Sequence, residues 1–157
     1  MPAPRVPSQD VDHVASALVA FLPALHRALE RKVGQEFPHP RLPDGQLALL
    51  FLVEERKGIT VRESAEALLM KPNNVSALVS QLTELGLLER RQDPADKRVA
   101  HLHPTATARE RLAEARLLKE AHMARALNTL TDGDLDALGA ALGALTALTR
   151  RLHSPAG

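Results

Sequence analysis

Apolar residues recur at steps of three and four along most of the chain, and that spacing predicts helices. The first stripe is Val11, Val14, Leu18, Leu22, Leu25, Leu29 and Val33. Ser8 or Asp10 stands where a cap is needed. Pro23 falls inside the stripe, where its missing backbone donor predicts a kink or a split into two helices. Before it, MPAPRVPSQ holds three prolines and reads as a loose arm over 1–9. GQEFPHPRLPDG (34–45) holds three more prolines and reads as a loop. Asp44 is expected to cap a second helix, GQLALLFLVEERK, which Gly58 ends. Thr60 and Glu63 form a T-x-x-E capping box for a third helix from Val61 to about Leu69. After the turn MKPNN a fourth helix is expected from Asn73 to Leu85, with Gly86 as its stop.

The helical period then fails over LLERRQDPADKRVAHLHP. Two strand-like runs, 87–92 and 97–103, flank DPAD and predict a β-hairpin. A fifth helix follows from Thr105 to about Leu130. TDGD (131–134) supplies a T-x-x-D cap for the last helix, which carries Leu135, Leu138, Leu142, Leu145, Leu148 and Leu152. The expected fold is mainly α with a small β-hairpin, in the order α-α-α-α-β-β-α-α.

The fourth predicted helix has an unusual outer face. On a wheel of 100° per residue, Val75, Leu78, Val79, Leu82 and Leu85 share one side. Asn73, Asn74, Ala77, Ser80, Gln81 and Glu84 share the other. Amides and hydroxyls suit hydrogen bonding to base edges, and a small alanine lets a helix sit close to its target. The same face also suits plain solvation. The order of elements decides between them: a capped helix, a short turn, a helix with a polar outer face and a charged hairpin make a winged helix-turn-helix. Residues 89–98 carry four positive and three negative charges. Arg90, Arg91, Lys97 and Arg98 are the cations offered to phosphates or the minor groove, and Asp93 and Asp96 are carboxylates placed to hold an arginine extended. Bulk charge is nearly cancelled there, so affinity must come from placement.

Composition narrows the alternatives. The 157 residues are 45% hydrophobic and 25% charged, which suits a folded domain with helices that pack on a partner. There is no cysteine, which removes disulfides, thiolate metal sites and thiol nucleophiles. Tyrosine and tryptophan are absent and phenylalanine occurs three times, so stacking platforms for single strands are excluded. The net charge of +1 excludes a polybasic tail but not a local basic face. No apolar run spans a membrane. VASALVAFLPAL (14–25) follows Asp10 and Asp12 rather than basic residues, so it is expected to be part of a helix in a cytoplasmic protein.

From Thr60 to Arg109 the chain resembles the winged-helix core of the MarR family of bacterial transcriptional regulators. The wing RRQDPADKR matches the family's D-x-x-D-x-R pattern at Asp93, Asp96 and Arg98. P-x-x-V-S-x-L-V-x-x-L-x-x-x-G-L-L-E-R from Pro72 to Arg90 matches its recognition-helix signature. The resemblance implies a homodimeric repressor that binds palindromic double-stranded DNA. Residues 44–104 would bind DNA, and 10–34 with 105–153 would form the dimerisation region. Independently, Gly139 and Gly143 lie beside Ala140 and Ala144, a pattern that lets helices approach closely. The expected DNA-binding residues are Lys71, Asn73, Asn74, Ser76, Ala77, Ser80, Gln81, Arg90, Arg91, Lys97 and Arg98. By resemblance Arg98 enters the minor groove and Asp96 orients it. Three positions depart from the pattern: Ala77 replaces a common arginine, Lys71 replaces a small cap, and Pro104-Thr105-Ala106-Thr107-Ala108 lacks the leucine and glycine usual at that junction.

The family also implies a small anionic aromatic effector. Phe37, His39, Arg41 and Phe51 are the candidate lining, with Arg41 facing a carboxylate, although the phenylalanines also suit a core and His39 a loop surface. Seven histidines raise a metal-responsive alternative. No H-x-x-x-H or H-E-x-x-H pair supports it, and no metal or cofactor is expected. His101 and His103 share a strand face, where a phosphate contact is the favoured role. An enzyme is not expected, since no G-x-S-x-G or phosphate-binding glycine loop is present. A winged-helix module that docks protein is the other alternative, and a flat salt response would favour it.

Overall fold

A computed structural model describes residues 8–153. The element order is α1 (Ser8–Glu36), α2 (Asp44–Glu55), β1 (Ile59–Thr60), α3 (Val61–Leu68), α4 (Pro72–Glu84), β2 (Leu88–Gln92), β3 (Ala100–Pro104), α5 (Ala106–Leu127) and α6 (Asp132–His153). The mainly helical fold is as expected, with one addition. β1, two residues long, pairs antiparallel with β3, so the hairpin becomes a three-stranded sheet in the order β1-β3-β2. A two-residue strand carries no periodicity for a sequence to reveal.

Several boundaries are corrected. Of the kink or split expected at Pro23, the split does not occur: α1 is one 29-residue helix with Pro23 inside it. A proline removes a single donor, and the hydrogen bonds on either side carry the helix past it. The first seven residues of the expected arm lie outside the described residues, and its last two already belong to α1. Asp44 is the first residue of α2 and not its cap. Pro43 holds the cap position and no side chain bonds there. β3 begins at Ala100 rather than 97, because residues 93–99 form a side-chain-braced loop. Leu85 is the C-cap of α4 and is 52% exposed, so the buried face of α4 ends at Leu82.

Other local signals act as their chemistry dictates. The Thr60 hydroxyl accepts the Glu63 N–H at 3.2 Å at the start of α3. The Thr131 hydroxyl accepts the Asp134 N–H at 3.1 Å and donates to its carboxylate at 2.8 Å. Gly86 stops α4 with φ 71°, a left-handed conformation natural to glycine. Leu69 takes the same role after α3 at φ 53°, where a β-carbon is strained, and its side chain is 94% exposed.

The chain divides into two compact units, one holding Glu30–Leu118 and the other the chain up to Leu29 and from Lys119 on. The core of the first is aliphatic: Leu49, Leu50, Val53, Ile59, Val75, Val79, Leu82, Leu87, Leu88 and Leu102 are buried together. Phe51 is not core, being 47% exposed. In the second unit α6 buries no residue, and Leu135, Leu138, Leu142, Leu145, Leu148 and Leu152 are all exposed. Val11, Val14, Phe21, Leu22 and Leu25 of α1 are exposed as well. No described helix is long and apolar enough to cross a membrane.

The junction that departs from the family pattern is regular. Pro104 ends β3 opposite Leu88. The Thr105 hydroxyl donates to the Gly86 carbonyl at 2.6 Å and accepts the Ala108 N–H at 3.1 Å. Ala108, at the position where the family has glycine, is fully buried. One hydroxyl thus caps α5 and ties it to the end of α4.

Three stability predictions come from these contacts. Leu82→Ala should cost about 2–5 kcal/mol in urea unfolding, as for other buried leucines. Leu69→Gly should be neutral or gain up to about 1 kcal/mol, and a clear loss would contradict the assigned backbone strain. Thr105→Ala should cost about 1 kcal/mol, and Thr105→Ser should restore most of it.

Candidate nucleic-acid interface

Burial of Val75, Val79 and Leu82 fixes the rotation of α4 about its axis. Asn73, Asn74, Ser76, Ala77, Ser80 and Gln81 are then all exposed. Pro72 opens the helix, where its missing N–H costs nothing, and the preceding Lys71 caps it without a side-chain bond. Lys71, Asn73, Asn74 and Ser76 make no side-chain hydrogen bond among the described residues.

Ser80 and Gln81 are held by neighbours. The Gln46 amide of α2 donates to Gln81 Oε1 at 3.0 Å, and Arg90 Nη2 donates to Ser80 Oγ at 3.2 Å. Gln46 was not among the expected residues, because its link to Gln81 spans 35 positions and leaves no local signal. Arg90 therefore lies along α4, at the root of the wing. Arg91 turns to Glu89, with Nη2 at 2.6 Å from Oε1.

The wing tip is a chain of local bonds. Asp93 Oδ1 accepts the N–H groups of Ala95 at 2.8 Å and Asp96 at 3.2 Å, so Asp93 shapes loop backbone and holds no arginine. Asp96 Oδ1 accepts the Arg98 N–H at 3.0 Å and its Nε–H at 3.2 Å. The Arg98 side chain stays 91% exposed.

His101 is not available to phosphate. Its Nδ1 lies 2.8 Å from the Gly58 carbonyl oxygen and its Nε2 lies 2.8 Å from Asp93 Oδ2. The Asp93 carboxylate, with the Gly58 carbonyl, holds the imidazolium above its ordinary range despite partial desolvation. The His101 bond in turn holds the Asp93 carboxyl below its usual value, aided by the Ala95 and Asp96 N–H groups. His103, two residues along, is pushed down by burial and then by the Arg91 charge.

The expected effector residues are partly brought together. The Phe37 and His39 rings meet edge-on with centroids 5.0 Å apart, and His39 Nε2 lies 3.0 Å from Glu114 Oε2. Arg41 sits 4.0 Å from Asp44, both side chains largely in solvent. Phe51 lies on the exposed side of α2. Among the described residues no group of three histidine or acidic side chains could hold a metal ion.

A capped helix, a turn, a second helix with an outward polar face and a braced hairpin define a winged helix-turn-helix protein. Residues 42–99 match the model of the MarR family. The HTH-type transcriptional repressor MdtR of Bacillus subtilis is 24% identical over 127 residues, covering 81% of this chain and 82% of MdtR. A solved Pseudomonas aeruginosa transcriptional regulator superposes with TM-score 0.75 at 26% identity, covering 92% of this chain and 98% of its own. Streptococcus pneumoniae FabT, solved in complex with DNA, shares the fold with TM-score 0.59 at 17% identity, covering 93% of this chain and 99% of its own. The MarR-family model thus matches the winged-helix segment of this chain, and the relatives it resembles over most of its length are transcriptional regulators.

Proposed function

We propose that the protein is a homodimeric, sequence-specific repressor that binds palindromic double-stranded DNA in the cytoplasm and is released by a small anionic aromatic effector. One observation carries the DNA reading. α4 buries its aliphatic side and presents Asn73, Asn74, Ser76, Ala77, Ser80 and Gln81 on one exposed face. That face enters the major groove. Lys71, Arg90, Arg91, Lys97 and Arg98 meet backbone phosphates or, for Arg98, the minor groove. MdtR's role as a repressor and FabT's complex with DNA support the same reading.

The dimer is supported by the terminal helices. α6 exposes six leucines and buries none, and a β-carbon on Gly139 or Gly143 would meet nothing within 4 Å. Such a face is stable in water when a second copy covers it. The effector reading rests on Phe37, His39, Arg41 and Phe51, of which the Phe37–His39 pair offers an aromatic edge and Arg41 a cation.

Selection of bound duplexes followed by salt titration tests the DNA reading. Affinity should fall about tenfold or more per doubling of salt if several phosphates are contacted, and a flat response would sink it. Arg98→Ala should weaken all sites alike. Asn74→Ala and Gln81→Ala should instead relax preference at particular base pairs, by about 1–3 kcal/mol for bidentate contacts. Gly143→Leu should shift the sedimentation-equilibrium mass toward the monomer, and an unchanged dimer would remove α6 from the interface.

A further inference from the structure

We propose that His101 is the positioning residue of the wing, fixing the Arg98 loop to the sheet by donating from both ring nitrogens at once. The consequence for DNA rests on the function proposed above, whereas the clamp itself belongs to the free protein.

Both partners of the ring are acceptors. Gly58 offers a carbonyl oxygen and Asp93 a carboxylate oxygen, each at 2.8 Å. A neutral imidazole has one N–H and satisfies only one of them, so both bonds exist together only in the imidazolium. The Gly58 end is rigid. Gly58 has φ 87°, and the Ile59 N–H, in the same peptide plane as the Gly58 carbonyl, donates to the Arg56 carbonyl at 3.1 Å, which fixes where the Gly58 carbonyl points. At the other end Asp93 uses Oδ2 for His101 and Oδ1 for the N–H groups of Ala95 and Asp96. Asp96 then holds Arg98 through backbone and side chain. An unbroken line of hydrogen bonds thus runs from the start of β1 to the guanidinium at the wing tip. His101 is its one link between sheet and loop side chains.

The surrounding charges favour the doubly donating ring. Glu63 on α3 and Asp93 in the loop add negative potential. Arg91 stands opposite His101 on β2, but its charge is met by Glu89 at 2.6 Å. Thr60 faces His101 from β1 and carries no charge. His103, on the same strand, is held toward its neutral form by burial. Lys97 and Arg98 share the loop, and Arg98 is engaged by Asp96. His101 binds its proton more tightly folded than unfolded. The clamp's contribution is therefore full below the unfolded value and is lost as pH rises through the folded one. Asp93 sets the other limit, since its contribution is lost as pH falls through its lowered value.

The test uses the full chain and two readouts. In the free protein, ¹⁵N-histidine titration should place His101 above the ordinary 6.5, and the Ala95 and Asp96 amide signals should move with the same midpoint. Asp93→Asn should lower that midpoint. A ring that titrates at or below 6.5, or loop amides that ignore it, would overturn the clamp. On a selected duplex at fixed salt, affinity should fall about two- to fivefold as pH rises through the His101 midpoint, the size expected of one exposed charge-assisted pair. His101→Arg, a permanent donor to both acceptors, should keep the low-pH affinity and erase that step. A step that persists in His101→Arg would overturn the link to DNA. If the wild-type chain binds no duplex at all, the DNA reading fails by itself and the clamp is judged on the amide titration.

Discussion

Burial of three side chains on α4 constrains everything around it. Val75, Val79 and Leu82 are fully enclosed by the aliphatic core, so α4 cannot rotate without opening a cavity and exposing these side chains. That single constraint decides which residues face out. The outward set holds amides, hydroxyls and an alanine, with no basic side chain between Pro72 and Glu84. A helix that relied on charge would not need a defined rotation. One that reads hydrogen-bonding patterns does, because an amide misplaced by one residue is turned through 100°.

The sheet transmits the same constraint to the wing. β3 is its central strand, pairing with β2 along the hairpin and with Ile59–Thr60 on the other side. Thr60 is also the cap of α3. The wing and the helix-turn-helix therefore share one strand ladder, and Leu102 at its centre is fully buried. Thr105 closes the arrangement at the far end by joining the last strand to the carbonyl of Gly86. The leucine and glycine missing from this junction are replaced by a buried proline and a buried alanine, small enough to leave α5 regular.

Elements with local signatures were legible in the sequence. The Thr60 and Thr131 caps, the Gly86 stop and the two-sided pattern of α4 all act within one turn of chain. Asp93 and Asp96 were recognisable as braces, and Arg98 as the partner of Asp96, but the partners of Asp93 were not. Asp93 shapes backbone and meets His101, while Asp96 holds Arg98. The strand β1 was illegible because two residues carry no period. Gln46 and the His101–Gly58 contact were illegible because each joins positions 35 or 43 apart, and no rule of spacing reaches that far. Asp44 misled because a good capping residue follows Pro43, and the proline took the cap position first.

The braced wing resolves an apparent conflict in its charges. Residues 89–98 are nearly neutral in sum, and three of their four basic side chains are already engaged inside the molecule. Net attraction to a polyanion is weak in such a segment. Geometry compensates. Of the five donors of the Arg98 guanidinium, Asp96 takes only the Nε–H, and the side chain stays 91% exposed. The bond to Asp96 restrains the side chain before any contact is made, which reduces the rotamer entropy lost on binding. A carboxylate beside an arginine would weaken a grip built on charge alone. It strengthens one built on placement, provided that the loop carrying both is itself fixed, and here the loop is fixed through Asp93.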